Sequence, residues 1–332
     1  MVKKVKLGDA NVTAVAYGCM GLSQAYEPCD EDQGIRTLNA VLDMGYDHLD
    51  TAALYGFGKN EELLNKAIGH RRSEYFLASK CGLYRDATGK REINGRPEVL
   101  METCEDSLRR LGTDCIDLYY LHRIDLNVPV EDSLGALINM KDQGKIRFIG
   151  LSEPSPKTLQ KALNLTPIAA VQSELSLWTR NPNDVVADLC GQKGIAFVSY
   201  SPLGRGFLGG GIRDMDLLTE KDIRHTMPRF RADNFVSNLK ILDELGALAH
   251  ENGMTAAQLA LAWVLAQGDH ILAIPGTRFE GRARENLDAA SSSVTDEVII
   301  HAGRILSPES TAGERWTETI LREVDSEQYR FR

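Results

Sequence analysis

A carboxylate and a phenol five residues apart, Asp50 and Tyr55, are the first side chains along the sequence that could perform acid–base chemistry. Residues 46–49 predict a short strand, so that Asp50 lies at its end and Tyr55 in the glycine-rich turn beyond it. Such a pair is half of a plausible acid–base site. Alone it is ambiguous, because Asp50 could instead cap the turn and Tyr55 could pack against the rim of a barrel.

Other predicted strands also end in polar or ionisable side chains. These are Lys80 at the third strand, His122 at the fourth, Ser152 and Glu153 at the fifth, Gln172 and Ser173 at the sixth, and Tyr200 and Ser201 at the seventh. A single such lysine is usually a solvated edge charge, and a single such histidine is usually a satisfied core residue. Burying so many polar groups without a function would be costly. Since the carboxyl ends of barrel strands form one rim that carries the active site, the pattern predicts an active site there.

The elements that would position these residues alternate between strand and helix. The predicted strands are residues 14–18, 46–49, 75–80, 116–121, 146–151, 169–172, 195–200 and 271–274. The predicted helices are residues 30–44, 60–68, 96–111, 130–143, 156–163, 182–192, 235–251, 255–267 and 281–290. Eight strand–helix units with buried, non-alternating strands favour an α/β fold, a closed parallel (β/α)8 TIM barrel, over an open doubly wound sheet.

Three segments lie outside this alternation. Residues 2–15 alternate around Gly8 and Asp9, which predicts an N-terminal β-hairpin. The polar loop at about residues 201–234, after strand 7, is long enough to suggest a functional role. We predict that residues 1–332 form a single domain, with a core at about residues 12–290 and a helical C-terminal tail at about residues 295–332.

The composition limits the possible functions. The 332 residues carry 38 basic and 47 acidic side chains, a formal net charge of −9, which argues against nucleic acid or an anionic membrane as the main partner. The six cysteines are scattered, which favours free thiols in a reducing compartment over disulfides or zinc. Neither a signal-peptide pattern nor a membrane-spanning apolar run is found. The sequence predicts a cytoplasmic protein without a bound metal, and it does not indicate the oligomeric state.

Two segments carry a specific family resemblance. GYDHLDTAALYGFGKNEELL resembles the first signature of the aldo-keto reductase superfamily, and IDLYYLHRID resembles the segment around its fourth strand. Asp50, Tyr55, Lys80 and His122 match the catalytic tetrad of this family in order and strand by strand. The resemblance covers roughly residues 12–290, and runs such as YGCMGLS and YSPLGRGFL are most similar to the perakine reductase-like branch.

The resemblance implies that an aldehyde or ketone is reduced to the alcohol. A nicotinamide cofactor would supply the hydride, and Tyr55 would supply the proton. A phenol has a pKa of about 10, so we expect the Lys80 ammonium to lower the pKa of Tyr55 and Asp50 to keep Lys80 charged. His122 would orient the carbonyl or relay the proton.

The resemblance also implies a site for NADPH or NADP+, with NADH as a less favoured cofactor. Ser152 and Gln172 would hold the nicotinamide carboxamide, and Tyr200 would stack on the nicotinamide ring. The loop that crosses the pyrophosphate would consist of Ser201, Pro202, Leu203, Gly204, Arg205 and Gly206. The other expected contacts are Thr277, Arg278 and Arg282 at the 2′-phosphate, Glu285 and Asn286 at the adenine, and Gly18, Met20, Asp50, Ile274 and Gly276 elsewhere along the cofactor.

Two positions depart from the family pattern. Glu153 replaces an asparagine that many members carry after this serine, which removes an expected hydrogen bond to the carboxamide. Gly276 replaces a lysine that faces the phosphate in many members. The preference for NADPH would then depend on Arg278 and Arg282, whose guanidiniums can bind phosphate bidentately; alternatively, both belong to a solvated helix start and pair with Glu280 and Glu285.

Two other functions remain open. The chain could be a cofactor-binding regulatory module with slow turnover, like the potassium-channel β subunits, although the intact tetrad favours an enzyme. It could also be a barrel aldolase or lyase that forms a Schiff base on Lys80, although Asp50 would keep Lys80 protonated. The substrate is a small carbonyl compound, whose identity depends on rim residues such as 20–27, 84–94, Leu126 and Trp178. Trp178 either forms a wall of the pocket or packs under the loop after strand 7.

Overall fold

The protein is known from a computed structural model, which describes residues 2–23, 25–26, 29–85, 91–180 and 183–331. The strands, in chain order, are β1 (Lys4–Leu7), β2 (Ala10–Thr13), β3 (Tyr17–Gly18), β4 (His48–Asp50), β5 (Phe76–Cys81), β6 (Leu83–Arg85), β7 (Arg91–Ile93), β8 (Ile116–Leu121), β9 (Ile146–Ser152), β10 (Ala170–Glu174), β11 (Ala196–Tyr200) and β12 (Ile271–Ala273). Eight of them form one parallel sheet in the order β3-β4-β5-β8-β9-β10-β11-β12.

The sheet closes on itself between its first and last strands. The Ala16 N–H donates to the Ala273 carbonyl and the Ala273 N–H donates to the Ala14 carbonyl, both at 2.8 Å. The strands are short and almost entirely buried, as expected for a parallel sheet that is covered by helices. This closure confirms the predicted (β/α)8 barrel.

Helices follow the barrel strands as predicted. They are α1 (Glu31–Met44), α2 (Lys59–Ile68), α3 (Pro97–Leu111), α4 (Val130–Asp142), α5 (Pro156–Leu165), α6 (Asn183–Lys193), α7 (Ala232–Glu251), α8 (Ala256–Leu265), α9 (Glu280–Asp288), α10 (Asp296–Ile305) and α11 (Glu318–Arg322). Local sequence sets their ends: the Asp30 side chain caps α1 by accepting from the Gln33 N–H, and Gly45 ends α1 in the left-handed conformation. Pro182, predicted to begin the sixth helix, lies outside the described residues.

Two hairpins accompany the barrel. β1 and β2 pair antiparallel around Gly8 and Asp9, which confirms the predicted N-terminal hairpin. β6 and β7 form a second antiparallel pair, which the sequence analysis did not predict. This pair follows β5 directly, so it stands at the rim where Lys80 lies next to the last residue of its strand.

The first strand and the loop after β11 differ from the predictions. β3 contains two residues only, because residues 14–16 approach β12 through the closure described above rather than as a regular strand. The predicted irregular loop contains four 3-10 helices, Phe207–Gly209, Met215–Leu217, Ile223–Thr226 and Pro228–Phe230. In the tail, an irregular segment at residues 306–317 separates α10 from α11, and a 3-10 helix follows at Asp325–Phe331.

Candidate active site

Lys80 is the centre of a cluster at the carboxyl ends of the barrel strands. Its ammonium forms a short ion pair with the Asp50 carboxylate, donates to the Thr51 carbonyl at 2.8 Å, and lies 3.4 Å from the Tyr55 hydroxyl. Asp50 and Lys80 are 1% and 0% exposed. The structure therefore brings together a buried ammonium, its counterion and a phenol, as the predicted tetrad requires.

A strained turn presents Tyr55 to this cluster. Tyr55 begins the 3-10 helix Tyr55–Gly58, in which Gly56 and Phe57 both have a φ of 57°. A left-handed φ is uncommon for a phenylalanine, so surrounding structure must hold this turn in place. In this turn the Tyr55 ring is buried, and its hydroxyl contacts Lys80, which lies 25 residues further along the chain.

The pKa of Tyr55 differs from our expectation. Burial raises the pKa of the Tyr55 phenol above its ordinary value, and the Lys80 ammonium opposes this rise without reversing it. Lys80 thus lowers the pKa of Tyr55 as expected, but the larger effect of burial, which was not predicted, sets the net direction. Burial acts against the charge of Lys80 as well, yet Asp50 and Tyr55 raise the pKa of Lys80. At neutral pH the site contains a protonated phenol beside a charged ammonium.

His122 lies next to Tyr55 as a neutral imidazole. The two rings meet edge to face with their centroids 5.9 Å apart. Burial, together with the positive charges of Lys80 and Arg123, lowers the pKa of His122 well below its ordinary value. Among the described residues, its Nδ1 has no hydrogen-bond partner. A neutral histidine can orient a carbonyl by donating a hydrogen bond, but it does not carry a spare proton at neutral pH.

The residues expected around the nicotinamide lie on adjacent strands. Gln172 donates to Asp50 at 2.8 Å, which leaves its side-chain carbonyl for other partners. Ser152 accepts from the Arg123 guanidinium at 3.1 Å. Tyr200 ends β11 and donates its hydroxyl to Glu153 at 2.7 Å. Neither the contact of Arg123 with Ser152 nor the bond of Tyr200 to Glu153 was predicted, since no spacing in the sequence links these residues.

The loop after β11 has the backbone shape of a turn that could follow a phosphate chain. Ser201, Gly204, Arg205 and Gly206 have positive φ angles between 48° and 88°. The Arg205 side chain, however, points away from such a ligand: its guanidinium forms two 2.8 Å bonds to Glu174 and stacks over Trp316. The expected contact of Arg205 with a cofactor can therefore involve its backbone only. Trp178 is buried and stacks on Phe207 at 4.0 Å, so it packs under this loop.

The expected 2′-phosphate site lies at the start of α9. Arg278 precedes the helix, and Arg282 belongs to its first turn. Their guanidiniums lie 5.0 and 5.1 Å from the centre of the Phe279 ring. Thr277 accepts from the Tyr17 hydroxyl through its carbonyl. Glu285 and Asn286 follow on α9, and Asn286 is buried. The helix start thus carries two cations where the free N–H groups of a helix already favour an anion.

Gly18, Ile274 and Gly276 pack tightly where β3 meets the chain beyond β12. A Cβ atom on Gly276 would lie 2.5 Å from the Gly18 carbonyl oxygen, and a Cβ atom on Gly18 would lie 2.7 Å from the Ile274 carbonyl oxygen. A side chain on residue 276 therefore has no room in this structure without a backbone shift. Met20 lies beyond Gly18 in the 3-10 helix Cys19–Leu22.

The part of the chain that the structure describes gives two further results. It contains no group of three histidine, cysteine or acidic side chains placed to hold a metal ion. None of its helices is long and apolar enough to cross a lipid bilayer.

Comparisons with known proteins agree on one family. The model of the "Aldo/keto reductase family" matches residues 14–302. The chain is similar to the NADP(+) aldo-keto reductase yakc of Schizosaccharomyces pombe, at 40% identity over 89% of this chain and 88% of that protein. It is similar to probable aldo-keto reductase 1 of Glycine max, at 39% identity over 89% of this chain and 86% of that protein.

Solved structures give the same answer. A glycerol dehydrogenase from Gluconobacter oxydans matches with a TM-score of 0.84 and 30% identity, over 92% of this chain and 95% of that one. An aldo/keto reductase from Klebsiella pneumoniae in complex with NADP and acetate matches with a TM-score of 0.71 and 27% identity, over 93% of this chain and 96% of that one.

Proposed function

Because this chain belongs to the aldo/keto reductase family, whose members are NADP(H)-dependent oxidoreductases, we propose that it reduces a small aldehyde or ketone to the alcohol with NADPH. The observation that carries this proposal is the contact between the Tyr55 hydroxyl and the buried Lys80 ammonium at 3.4 Å. It supports Tyr55 as the group that protonates the alkoxide. The free cysteines favour a cytoplasmic location for this activity.

The described residues fit NADPH. Arg278 and Arg282 supply two positive charges at a helix start, which suits the 2′-phosphate. Gln172 lies against Asp50 and pairs across the sheet with Ser152, so both offer polar atoms where a carboxamide would be held close to the acid–base cluster. When bound, NADPH supplies the hydride.

The chain's own residues then handle the proton. Tyr55 is protonated at neutral pH, so it can donate to the oxygen of the carbonyl as negative charge develops there. The Lys80 ammonium stabilises the phenolate that remains, and Asp50 keeps Lys80 in place. Neutral His122, at the edge of the Tyr55 ring, orients the same oxygen.

A Schiff-base mechanism on Lys80 is disfavoured by the same geometry. A nucleophilic lysine must lose its proton. Here the Asp50 carboxylate and the Thr51 carbonyl both accept from the ammonium, and the pKa of Lys80 is raised despite its burial. Borohydride trapping with a carbonyl substrate should therefore leave Lys80 unmodified.

The proposed function is tested by the oxidation of NADPH with a panel of aldehydes and ketones. We expect steady-state turnover with at least one member of the panel, and slower turnover with NADH. The reverse reaction is assayed as the reduction of NADP+ with glycerol as the substrate. Tight binding of NADPH without turnover on any substrate would contradict the proposal and favour a regulatory module.

A further inference from the structure

The C-terminal tail packs against the rim of the barrel beside the proposed nicotinamide site. The Ser155 N–H donates to Asp325 at 2.6 Å, and the Ser326 N–H donates to the Glu153 carbonyl at 3.1 Å. Asp325 and Ser326 are both buried. Residues more than 150 positions apart in sequence therefore meet directly behind the end of β9.

Arg315 of this tail is buried among three carboxylates. Its guanidinium donates to Glu153 at 2.9 and 3.1 Å, to Glu174 at 3.1 Å, and to Glu327 at 2.9 Å. The side chain of Arg315 is 2% exposed and those of the three glutamates are 0% exposed. Arg205 provides a second cation through its bidentate pair with Glu174.

Glu153 links Arg315 to Tyr200. One carboxylate oxygen of Glu153 accepts from the Tyr200 hydroxyl at 2.7 Å and from Arg315 at 2.9 Å, and it also accepts from the Glu174 N–H at 3.1 Å. Arg315 also reaches the Tyr200 hydroxyl itself at 3.4 Å. Glu153 has a φ of 54°, a left-handed conformation that is rare for a residue with a long side chain. The surrounding contacts evidently compensate this strain.

We infer that Arg315 is a positioning residue for the cofactor: through Glu153 it fixes the ring of Tyr200 in the orientation needed to stack on the nicotinamide. This inference rests on the proposed function, because it uses Tyr200 as the stacking residue. The replacement of asparagine by Glu153 then has a purpose here. In place of a hydrogen bond to the carboxamide, its carboxylate accepts from the Tyr200 hydroxyl at 2.7 Å.

The charges make this arrangement depend on Arg315. Although burial opposes it, Arg315 holds the pKa of Glu153 well below the ordinary value of a glutamate. Removing one partner of a buried ion pair leaves an uncompensated charge, which is strongly unfavourable. Without Arg315, Glu153 would take up a proton or turn toward other donors, and either change alters its bond to the Tyr200 hydroxyl.

The test compares two ligands on Arg315→Gln. NADPH contains the nicotinamide, whereas adenosine 2′,5′-bisphosphate carries only the adenine and 2′-phosphate end. We expect NADPH binding to weaken by about tenfold, the size of one lost charge-assisted hydrogen bond, while binding of the bisphosphate stays unchanged. Arg322→Gln is the matched control, since it removes an exposed ion pair with Glu318 elsewhere in the tail and should affect neither ligand.

A second variant distinguishes the proposed effect from a general disruption of the fold. Tyr200→Phe keeps every charge of the cluster and removes only the hydroxyl that Glu153 holds. If Arg315 acts through this hydroxyl, the losses in NADPH affinity of the two single variants are not additive in the double variant. Additive losses, or equal weakening of NADPH and the bisphosphate in Arg315→Gln, would overturn the inference. A wild-type protein that fails to bind NADPH would instead contradict the proposed function.

Discussion

The buried ammonium of Lys80 determines what the Tyr55 phenol can do. Because burial raises the pKa of Tyr55, the resting site contains a proton ready for transfer rather than a phenolate. In the proposed reaction, the charge of Lys80 matters most at the moment when the proton leaves Tyr55, since a fixed cation stabilises the anion that forms beside it. Asp50 and Thr51 hold this cation in place before the reaction begins.

A second buried side chain, His48 on β4, makes stability depend on pH. Burial lowers the pKa of His48 to about 4, and among the described residues neither ring nitrogen has a hydrogen-bond partner. In the unfolded chain its pKa is about 6.5. As the pH falls from about 6.5 toward 4, the unfolded state gains a proton that the folded state does not. The free energy of unfolding should therefore fall by about 3 kcal/mol over this range.

His48→Leu isolates this effect. The free energy of unfolding is measured in urea at a series of pH values. Between about pH 6.5 and 4 it should fall less in the variant than in the wild type, by the amount that His48 contributes. The carboxylates titrate in both proteins, so their effect cancels when the free energy of unfolding of the variant is subtracted from that of the wild type. Parallel pH profiles for the two proteins would show that His48 is not the group responsible.

The sequence was sufficient to predict which catalytic candidates meet, but it did not predict their environment. Asp50, Tyr55, Lys80 and His122 could be placed at one rim because each ends a recognisable strand or follows one closely. The net direction of the Tyr55 pKa could not be obtained, since it depends on burial by distant segments. For the same reason, the sequence does not decide the position of Trp178, which depends on its stacking on Phe207.

At the level of elements, the start of α9 should determine the choice of cofactor. Arg282 lies in the first turn of α9 and faces the loop after β11. A Cβ atom added to Gly211 in this loop would lie 3.4 Å from the Arg282 guanidinium. Arg282→Ala should weaken NADPH binding by roughly tenfold to a hundredfold, because a charge-assisted contact to the 2′-phosphate is lost. NADH lacks this phosphate, so its binding should hardly change.

Fluorescence titration with both cofactors measures this difference. Arg284→Ala is a suitable control, since it removes an exposed arginine from the same helix two residues further on. Equal losses for NADPH and NADH in Arg282→Ala would contradict the assignment of the phosphate site.

The barrel closure offers a test at the junction of β3 and β12. Gly276→Ala would place a Cβ atom 2.5 Å from the Gly18 carbonyl oxygen, so the backbone would have to shift. Such overpacking typically costs about 1–3 kcal/mol. Gly135→Ala, within α4, is the matched control because nothing lies within 4 Å of its added methyl group. Unfolding in urea should show a loss for Gly276→Ala only, and a similar midpoint for both variants would show that the junction tolerates a side chain.

Long periodic elements were predictable, whereas short ones were not. The amphipathic pattern of α3 and the apolar run of β8 identify both from sequence, and their bounds agree closely with the predictions. Strands β6 and β7 and the 3-10 helices after β11 are each only three or four residues long. Segments of this length have no periodicity to detect, and tertiary contacts decide their conformation.

At the scale of the whole molecule, the tail and the barrel rim form one packed unit in the described residues. Arg315, Asp325 and Ser326 contact the ends of strands that lie far away in sequence. These contacts favour our proposal that residues 1–332 form a single domain. They could not be predicted, because a lone arginine in a charged tail resembles any solvated arginine.

Our central proposal is that the reduction of a carbonyl by this molecule depends on Tyr55, and Tyr55→Phe tests it most directly. The two proteins are compared in NADPH oxidation with the best aldehyde of the panel, and in NADPH binding by fluorescence. We predict a loss of about 10²-fold or more in kcat, as expected for a general acid, with NADPH affinity unchanged. A variant that keeps more than about a tenth of the wild-type kcat while binding NADPH normally would contradict the account.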